Sequence, residues 1–157
     1  MAVKYYLHDA APAEAWSAGG NLILARYYVA GFGTSSAAVA AGGKIAPTSD
    51  STASSEDYNG STWSNSGHTI NGWNEGTQGC GISTAGMIVG GGRPGVGNLD
   101  ETQEYDGYTW TMGGTLSVAK AFVCAGGTQT AGFCAGGWMD FDGWLVLAAI
   151  VDNLTDK

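Results

Sequence analysis

Charge is what this sequence has least of. Only 13% of the residues are charged, against roughly a quarter in an ordinary globular chain. The six basic side chains stand singly, at Lys4, Arg26, Lys44, Arg93, Lys120 and Lys157. No basic stripe exists to neutralise phosphates, so nucleic acid is not expected as a partner. The 14 Asp and Glu bring the net charge to −8, and an acidic chain gains nothing at an anionic membrane surface. Long hydrophobic runs are missing as well. The longest, residues 144–151, is too short to span a bilayer. The N-terminal stretch has no apolar core of the kind a signal peptide needs. Synthesis in the cytoplasm is therefore expected, with any exit by another route, such as inside a virus particle. Cysteine is sparse and odd in number: Cys80, Cys124 and Cys134, with no CxxC spacing. All three sit in apolar or Gly-rich runs, which reads as small buried hydrophobes rather than a disulfide framework. A Cys124–Cys134 bridge across a hairpin is the less favoured alternative.

What remains is glycine and aromatics. Glycine accounts for 27 of 157 residues, beside 6 Trp, 7 Tyr and 4 Phe, and apolar residues reach 44%. That is enough apolar surface for one folded domain with a proper core, not a disordered chain. Little charge, much glycine and many aromatics together predict tightly turned β-structure.

The aromatics and glycines are periodic. Trp16, Trp63 and Trp110 are spaced by 47 and 47, and each is followed four residues later by a glycine, at Gly20, Gly67 and Gly114. Tyr58-Asn59-Gly60 before Trp63 matches Tyr105-Asp106-Gly107 before Trp110 at the same interval. Doublets at Gly42–Gly43, Gly90–Gly91 and Gly136–Gly137 follow at intervals of 48 and 46. Each closes a similar run: GTSSAAVAAGG, GISTAGMIVGG and GTQTAGFCAGG. Independent markers at one period establish an internal repeat. The chain divides into a partial unit at 1–22 and units at 23–70, 71–116 and 117–157, within a single domain 1–157. The last is shortened, with Phe141-Asp142-Gly143-Trp144 read as a compressed Tyr-Asp-Gly-x-x-Trp element. Atypical end copies are normal in a repeat array.

Each unit reads as short strands. Residues 25–33 and 37–43 form a hairpin of small residues, whose size implies close backbone approach near an axis. A polar loop follows, at 47–57 in one copy and 93–102 in the next. A strand then ends at Tyr58 or Tyr105. Asn59-Gly60 and Asp106-Gly107 signal a hairpin, and the strand carrying Trp63 or Trp110 completes four. Four strands in a unit of this length match a propeller blade. Residues 145–152 are the clearest helix candidate, although as a strand they would close the third unit; 10–15 is the other.

The order Gly90-Gly91, Glu104-Tyr105-Asp106-Gly107, Trp110, with Gly42-Gly43, Glu56, Tyr58 and Trp63 in the other clear copy, resembles kelch repeats. The Ala/Gly/Thr-rich style of the runs is similar to the kelch-like arrays of tailed-phage structural proteins, particularly of marine and cyanobacterial viruses. The resemblance implies a β-propeller scaffold that binds through its loops. Three units are too few for a closed propeller, which has four to eight blades. Open sheets invite edge pairing, so oligomerisation with a closed symmetric solution is the expectation.

Motifs for chemistry are thin. His8 and His68 are far apart in polar stretches and read as surface residues, with no zinc-ligand spacing. The run 48–57, holding Asp50, Glu56 and Asp57, lacks the alternation of a calcium loop and reads as solvated. The stretch 90–98 has no phosphate-loop pattern and reads as a long inter-strand loop. Asp140 and Asp142 between Trp138 and Trp144 are the nearest thing to a glycosidase pair, on a degenerate repeat. No catalytic residue, metal or cofactor is assigned. Trp63 and Trp110 recur with the period and are expected to pack between blades. Aromatics off the period, Tyr27, Tyr28, Trp73 and Tyr108, are the candidate ligand contacts, with stacking on sugar rings as their use. The expectation is a non-catalytic virion component, in capsid decoration, tail or fibre, with other copies and other virion proteins as partners and a possible contact with the host surface. The alternative is a free-standing oligomeric, lectin-like propeller that binds a glycan.

Overall fold

The computed structural model of the protein describes residues 16–72, 74–141, 144–147 and 151–153. Among these there is no helix; the chain is all-β, in antiparallel sheets. The first sheet runs Ala30–Thr34, Ala37–Ala41, Ser54–Tyr58, Trp63–Thr69. The second repeats that order with Gln78–Ile82, Ala85–Val89, Glu101–Tyr105 and Trp110–Thr115. The third has Cys124–Gly127, Gly132–Ala135 and Val151–Asn153. The register repeats too, with Ala30 opposite Ala41, Gln78 opposite Val89, and Cys124 opposite Ala135.

Local chemistry explains the turns. Gly33, Gly81 and Gly127 lie at or one residue before the end of the first strand of each unit, at φ +118°, +97° and +96°. A Cβ there would collide with the carbonyls of Ala37, Ala85 and Ala131, so only glycine serves. Between the third and fourth strands the Asn-Gly and Asp-Gly signals form a four-residue loop rather than a two-residue turn. Asn59 N–H donates to Thr62 O (3.2 Å) and Asp106 N–H to Thr109 O (3.3 Å). The Asn59 and Asp106 side chains accept the two amides that follow the glycine, as Asx turns do.

Several expectations need correction. The run 25–33 is not one strand: Arg26–Tyr27 pairs with Lys44–Ile45, and the chain breaks at Tyr28. The polar loops end earlier than their composition suggests, because Ser54–Asp57 and Glu101–Thr102 already lie in the third strands. Ser55 and Glu56 are buried, so the Ser-rich run is not a solvated loop throughout. The Phe141–Trp144 region is not a compressed third-and-fourth strand. Trp138–Phe141 pairs with Trp144–Leu147 as a separate hairpin. It follows the Gly136–Gly137 doublet as the small Gly92–Arg93/Gly97–Asn98 hairpin follows Gly90–Gly91. The stretch 90–98 therefore carries its own pairing. Residues 145–147 and 151–153 are strand, and Val151–Asn153 joins the third sheet beside Gly132–Ala135. The candidate helix at 10–15 and His8 lie outside the described residues.

The core forms between sheets. Ala30, Phe32, Val39 and Ala41 of the first unit bury against Ile88 and Tyr105 of the second. Cys80, Met87 and Val89 of the second bury against Val123 and Cys134 of the third. The Phe32 ring lies over Gly79 and Gly86, where a Cβ would strike it. Burying a side chain of that size stabilises by about 1.5–3 kcal/mol. Trp110 bridges the same boundary, 6.0 Å from Phe32 and stacked 4.8 Å from Tyr105, with Nε1 donating to Ser55 Oγ (3.4 Å). It packs between units as its periodicity predicts. Among the described residues Trp63 meets only its own unit, its ring tilted against Tyr58 (5.0 Å) and half-buried.

Backbone bonds join the units in register. Gly76 N–H donates to Tyr28 O (3.0 Å) and Phe122 N–H to Gly76 O (2.8 Å). Gly43 N–H donates to Asn74 O (2.8 Å) and Gly91 N–H to Lys120 O (2.9 Å). The doublets are glycine because the next unit's main chain lies where a side chain would stand: Asn74 O beside Gly42, Lys120 O beside Gly90.

A polar group on each third strand organises the chain entering its unit. Glu56 accepts Ile23 N–H (2.8 Å), Gln103 accepts Asn71 N–H (2.6 Å) and Asp152 accepts Ser117 N–H (2.9 Å). In the outer units the acid also holds a cation, Arg26 on Glu56 and Lys120 on Asp152. The Arg26 side chain is fully buried and donates to Gly42 O, Ser54 O and Ala40 O as well.

Candidate functional site

The inter-unit ladder places three backbone positions in a row: Tyr28, Gly76 and Phe122, one per unit. All three are left-handed, at φ +58°, +63° and +55°. For a bulky aromatic that conformation costs about 1–2 kcal/mol. Two of the three units thus hold an aromatic where glycine fits without strain. Gly76 leaves room between them, and the Tyr28 and Phe122 rings meet edge to face over it at 5.0 Å. Tyr27 extends the row on one side (4.9 Å from Tyr28) and Trp138 on the other (5.8 Å from Phe122). Tyr27, Tyr28, Phe122 and Trp138 are 39%, 50%, 43% and 46% exposed. An exposed chain of four aromatic rings, two of them strained, is the clearest candidate site on the molecule.

Polar groups sit at the Tyr27 end. Tyr27 OH donates to Ser49 Oγ (2.8 Å). Lys44 Nζ pairs with Glu75 Oε2 (3.1 Å), which also accepts Ser51 Oγ (2.8 Å). The hydrogen bond to Glu75, with its charge, raises the Lys44 pKa above the ordinary lysine value. The arrangement sets four exposed aromatic rings beside a tyrosine hydroxyl and a lysine–glutamate pair held in place by Ser49 and Ser51.

Of the residues singled out by sequence, the structure brings Tyr27 and Tyr28 together. Tyr108 sits in the turn at 106–109, 70% exposed, its ring 4.5 Å from a half-buried His68, and joins no ring of the strip. Trp73 lies outside the described residues. Phe122 is not among those singled out, and Trp138 is marked by sequence only as a neighbour of Asp140. The period carried the signal, since Phe122 follows Tyr28 by two repeats and Trp138 takes the place after the doublet that Lys44 and Gly92 occupy. Asp140 lies on the 138–141 strand and Asp142 outside the described residues. Among the described residues no group of three His, Cys, Asp or Glu is placed to hold a metal ion.

Burial raises the thiol pKa of Cys80 and of Cys134. Cys124 departs from the expected burial and is exposed. It faces the uncovered side of the third sheet, and its register opposite Ala135 rather than Cys134 places the two thiols on opposite faces. All three cysteines are free.

No protein-family model matches the chain, and no curated protein matches it either.

Proposed function

We propose that the chain is a non-catalytic structural subunit of a phage particle, a capsid-decoration, tail or fibre component. It is built of kelch-like blades whose array is completed by other copies or by other virion proteins. One observation carries the reading. Val39 and Met87, at the same place in the first and second units, are 1% and 2% exposed, whereas Phe133 in the third is 43% exposed. The two inner positions are covered by the next sheet, and the third faces outward beside exposed Cys124. A blade face built to be covered calls for a protein neighbour. The likeness of the Gly/Ala/Thr-rich runs to phage kelch-like arrays supports a virion as the setting. The test is immunogold labelling and mass spectrometry of purified particles of the virus that encodes the chain. Stoichiometric labelling supports the reading; a chain left wholly in the particle-free supernatant sinks it.

The aromatic strip favours a second reading, an oligomeric propeller that binds glycans. A glycan array on the wild-type chain and on Trp138→Ala tests it. A hit lost with the ring supports sugar stacking, and a blank array on the oligomer removes it.

A further inference from the structure

Resting on the proposal that other chains complete the array, we infer that the neighbour on the open side of the third sheet is a second copy of this chain. It lends residues 16–22 as a fourth strand and seats Trp16 beside Thr102.

Among the described residues the third sheet has three strands where the first two have four. Ser54–Tyr58 and Glu101–Tyr105 each pair with a fourth strand that opens on tryptophan, whereas the third sheet ends at Val151–Asn153 among the described residues. A segment with the sequence of a fourth strand stands at the other end of the array. Trp16-Ser17-Ala18-Gly19-Gly20-Asn21-Leu22 aligns without a gap on Trp110-Thr111-Met112-Gly113-Gly114-Thr115-Leu116, the fourth strand of the second unit and the residue after it. Yet residues 16–22 pair with no strand among the described residues, and Trp16 is fully exposed.

Chain order says where this strand belongs. Each fourth strand leads directly into the next unit, where Asn71 or Ser117 docks its amide on the acid or amide side chain of the third strand. Ile23 makes the same contact with Glu56. Residues 16–22 are therefore the fourth strand of a unit that precedes the first. Within its own chain this segment lies against the first unit, with Gly19 beside Tyr58 and Gly20 beside Ser61, at the opposite end of the row from the third sheet. A second copy supplies it.

The backbone at the two ends is complementary in the same sense. The inner boundaries use an amide at position 76 or 122 on a carbonyl at 28 or 76, and a doublet amide on a carbonyl at 74 or 120. The corresponding groups left over are the Tyr28 amide and Arg26 carbonyl at one end, and the Phe122 carbonyl and Gly137 amide at the other. None of the four has a backbone partner among the described residues. The Arg26 carbonyl points away from its paired strand, because Ala46 N–H takes Ala25 O.

A cavity marks the seat. It is lined by Met87, Val89, Thr102, Leu116, Gly132 and Asp152, among others. Met87, Val89 and Thr102 repeat Val39, Ala41 and Ser55, the positions that Trp110 covers and hydrogen-bonds one boundary earlier. Trp16 of the second copy fills this place, with Thr102 Oγ1 as the acceptor. Phe133, whose ring lies over Gly126, takes the part of Phe32 and packs on Tyr58 and Trp63 of the copy. Two chains joined head to tail at both ends close a ring with blade number in the propeller range.

The test measures native mass by light scattering for the full chain, Trp16→Ala and Phe133→Glu. Both altered side chains are exposed, and circular dichroism checks that each variant is folded. Wild type is expected at twice 16.0 kDa and each variant at the single-chain mass. Mixing the variants pairs an intact tail with an intact head, so the mixture regains dimers through one junction. Cys124 is expected to react slowly with a thiol reagent in wild type and fast in either variant. If Phe133→Glu does not fold, Trp16→Ala and Cys124 labelling decide alone. Wild-type oligomers that persist in the variants, or a mixture that stays monomeric, overturn the head-to-tail strand while leaving self-assembly in place. A wild-type monomer at every concentration overturns both.

Discussion

Glu56→Ala is the most informative single substitution for the fold. Glu56 is 3% exposed and its partner Arg26 has a fully buried side chain. Removing the carboxylate strands a guanidinium whose Nε already has no partner, and it frees the Ile23 and Leu24 amides that the carboxylate accepts. Breaking a buried pair from one side costs about 3–5 kcal/mol. In a domain of this size each kcal/mol moves Tm by about 2–4 °C, so the fall is roughly 6–20 °C. The second unit is a built-in control, because Gln103 holds the Asn71 amide with a neutral side chain. Glu56→Gln should therefore lose clearly less than Glu56→Ala, and the double replacement Arg26→Met, Glu56→Leu should recover most of the loss. The assay is urea unfolding followed by circular dichroism at one protein concentration, since assembly itself shifts the midpoint. A Glu56→Ala cost within about 1 kcal/mol of zero, or a double variant worse than the single, would refute the buried-pair reasoning.

Gly86→Ala places a methyl group in the Phe32 ring and should cost about 1–3 kcal/mol, partly restored by Phe32→Leu, as a double-mutant cycle would show. Tyr28→Gly removes an aromatic but relieves a left-handed backbone worth about 1–2 kcal/mol, so its urea midpoint should move little; a large loss would mean the ring, not the backbone, dominates there. Trp110→Phe forfeits the Ser55 hydrogen bond and should lose about 1 kcal/mol beyond its smaller area in urea unfolding, whereas Ser55→Ala should cost more than that bond alone, because the same hydroxyl also holds His68 O and Ser66 Oγ. Burial pushes the Asp152 carboxyl up, but hydrogen bonds from Lys120 and Ser117 outweigh it and hold the pKa below the ordinary value. Its stabilisation is present above the unfolded carboxyl pKa of about 3.9 and is lost as pH falls through the folded value, so Asp152→Asn should flatten the acid limb of the stability profile.

The repeat was legible because its markers are steric. Gly33, Gly81 and Gly127, and the doublets, stand where no other residue fits, so they recur whatever the surrounding sequence does. The strand order followed from them. What the sequence hid was burial of polar groups. A run of serines around Glu56 has the composition of a solvated loop, and only the approach of Arg26 from residues away turns it into a core strand. The third unit misled for a similar reason: Phe141-Asp142-Gly143-Trp144 imitates the turn between third and fourth strands, but the register that decides pairing belongs to Val151–Asn153. Cys124 looked buried because its neighbours are small, and it is exposed because no sheet of its own chain covers that face. In the candidate site Tyr27 and Tyr28 stood out as off-period aromatics. Phe122 and Trp138 join them only through the ladder of inter-unit hydrogen bonds.

Amide-resolved hydrogen exchange on the native chain tests most directly whether the units form one continuous array closed by a further copy. Gly76, Phe122, Gly43 and Gly91 donate across the two inner boundaries and are expected to be protected. Tyr28 and Gly137 hold the matching positions at the ends and are expected to exchange as slowly as those four. Fast exchange at Tyr28 and Gly137 beside protected inner amides would leave three stacked units with open ends. Fast exchange at all six would contradict the stacked-unit array itself.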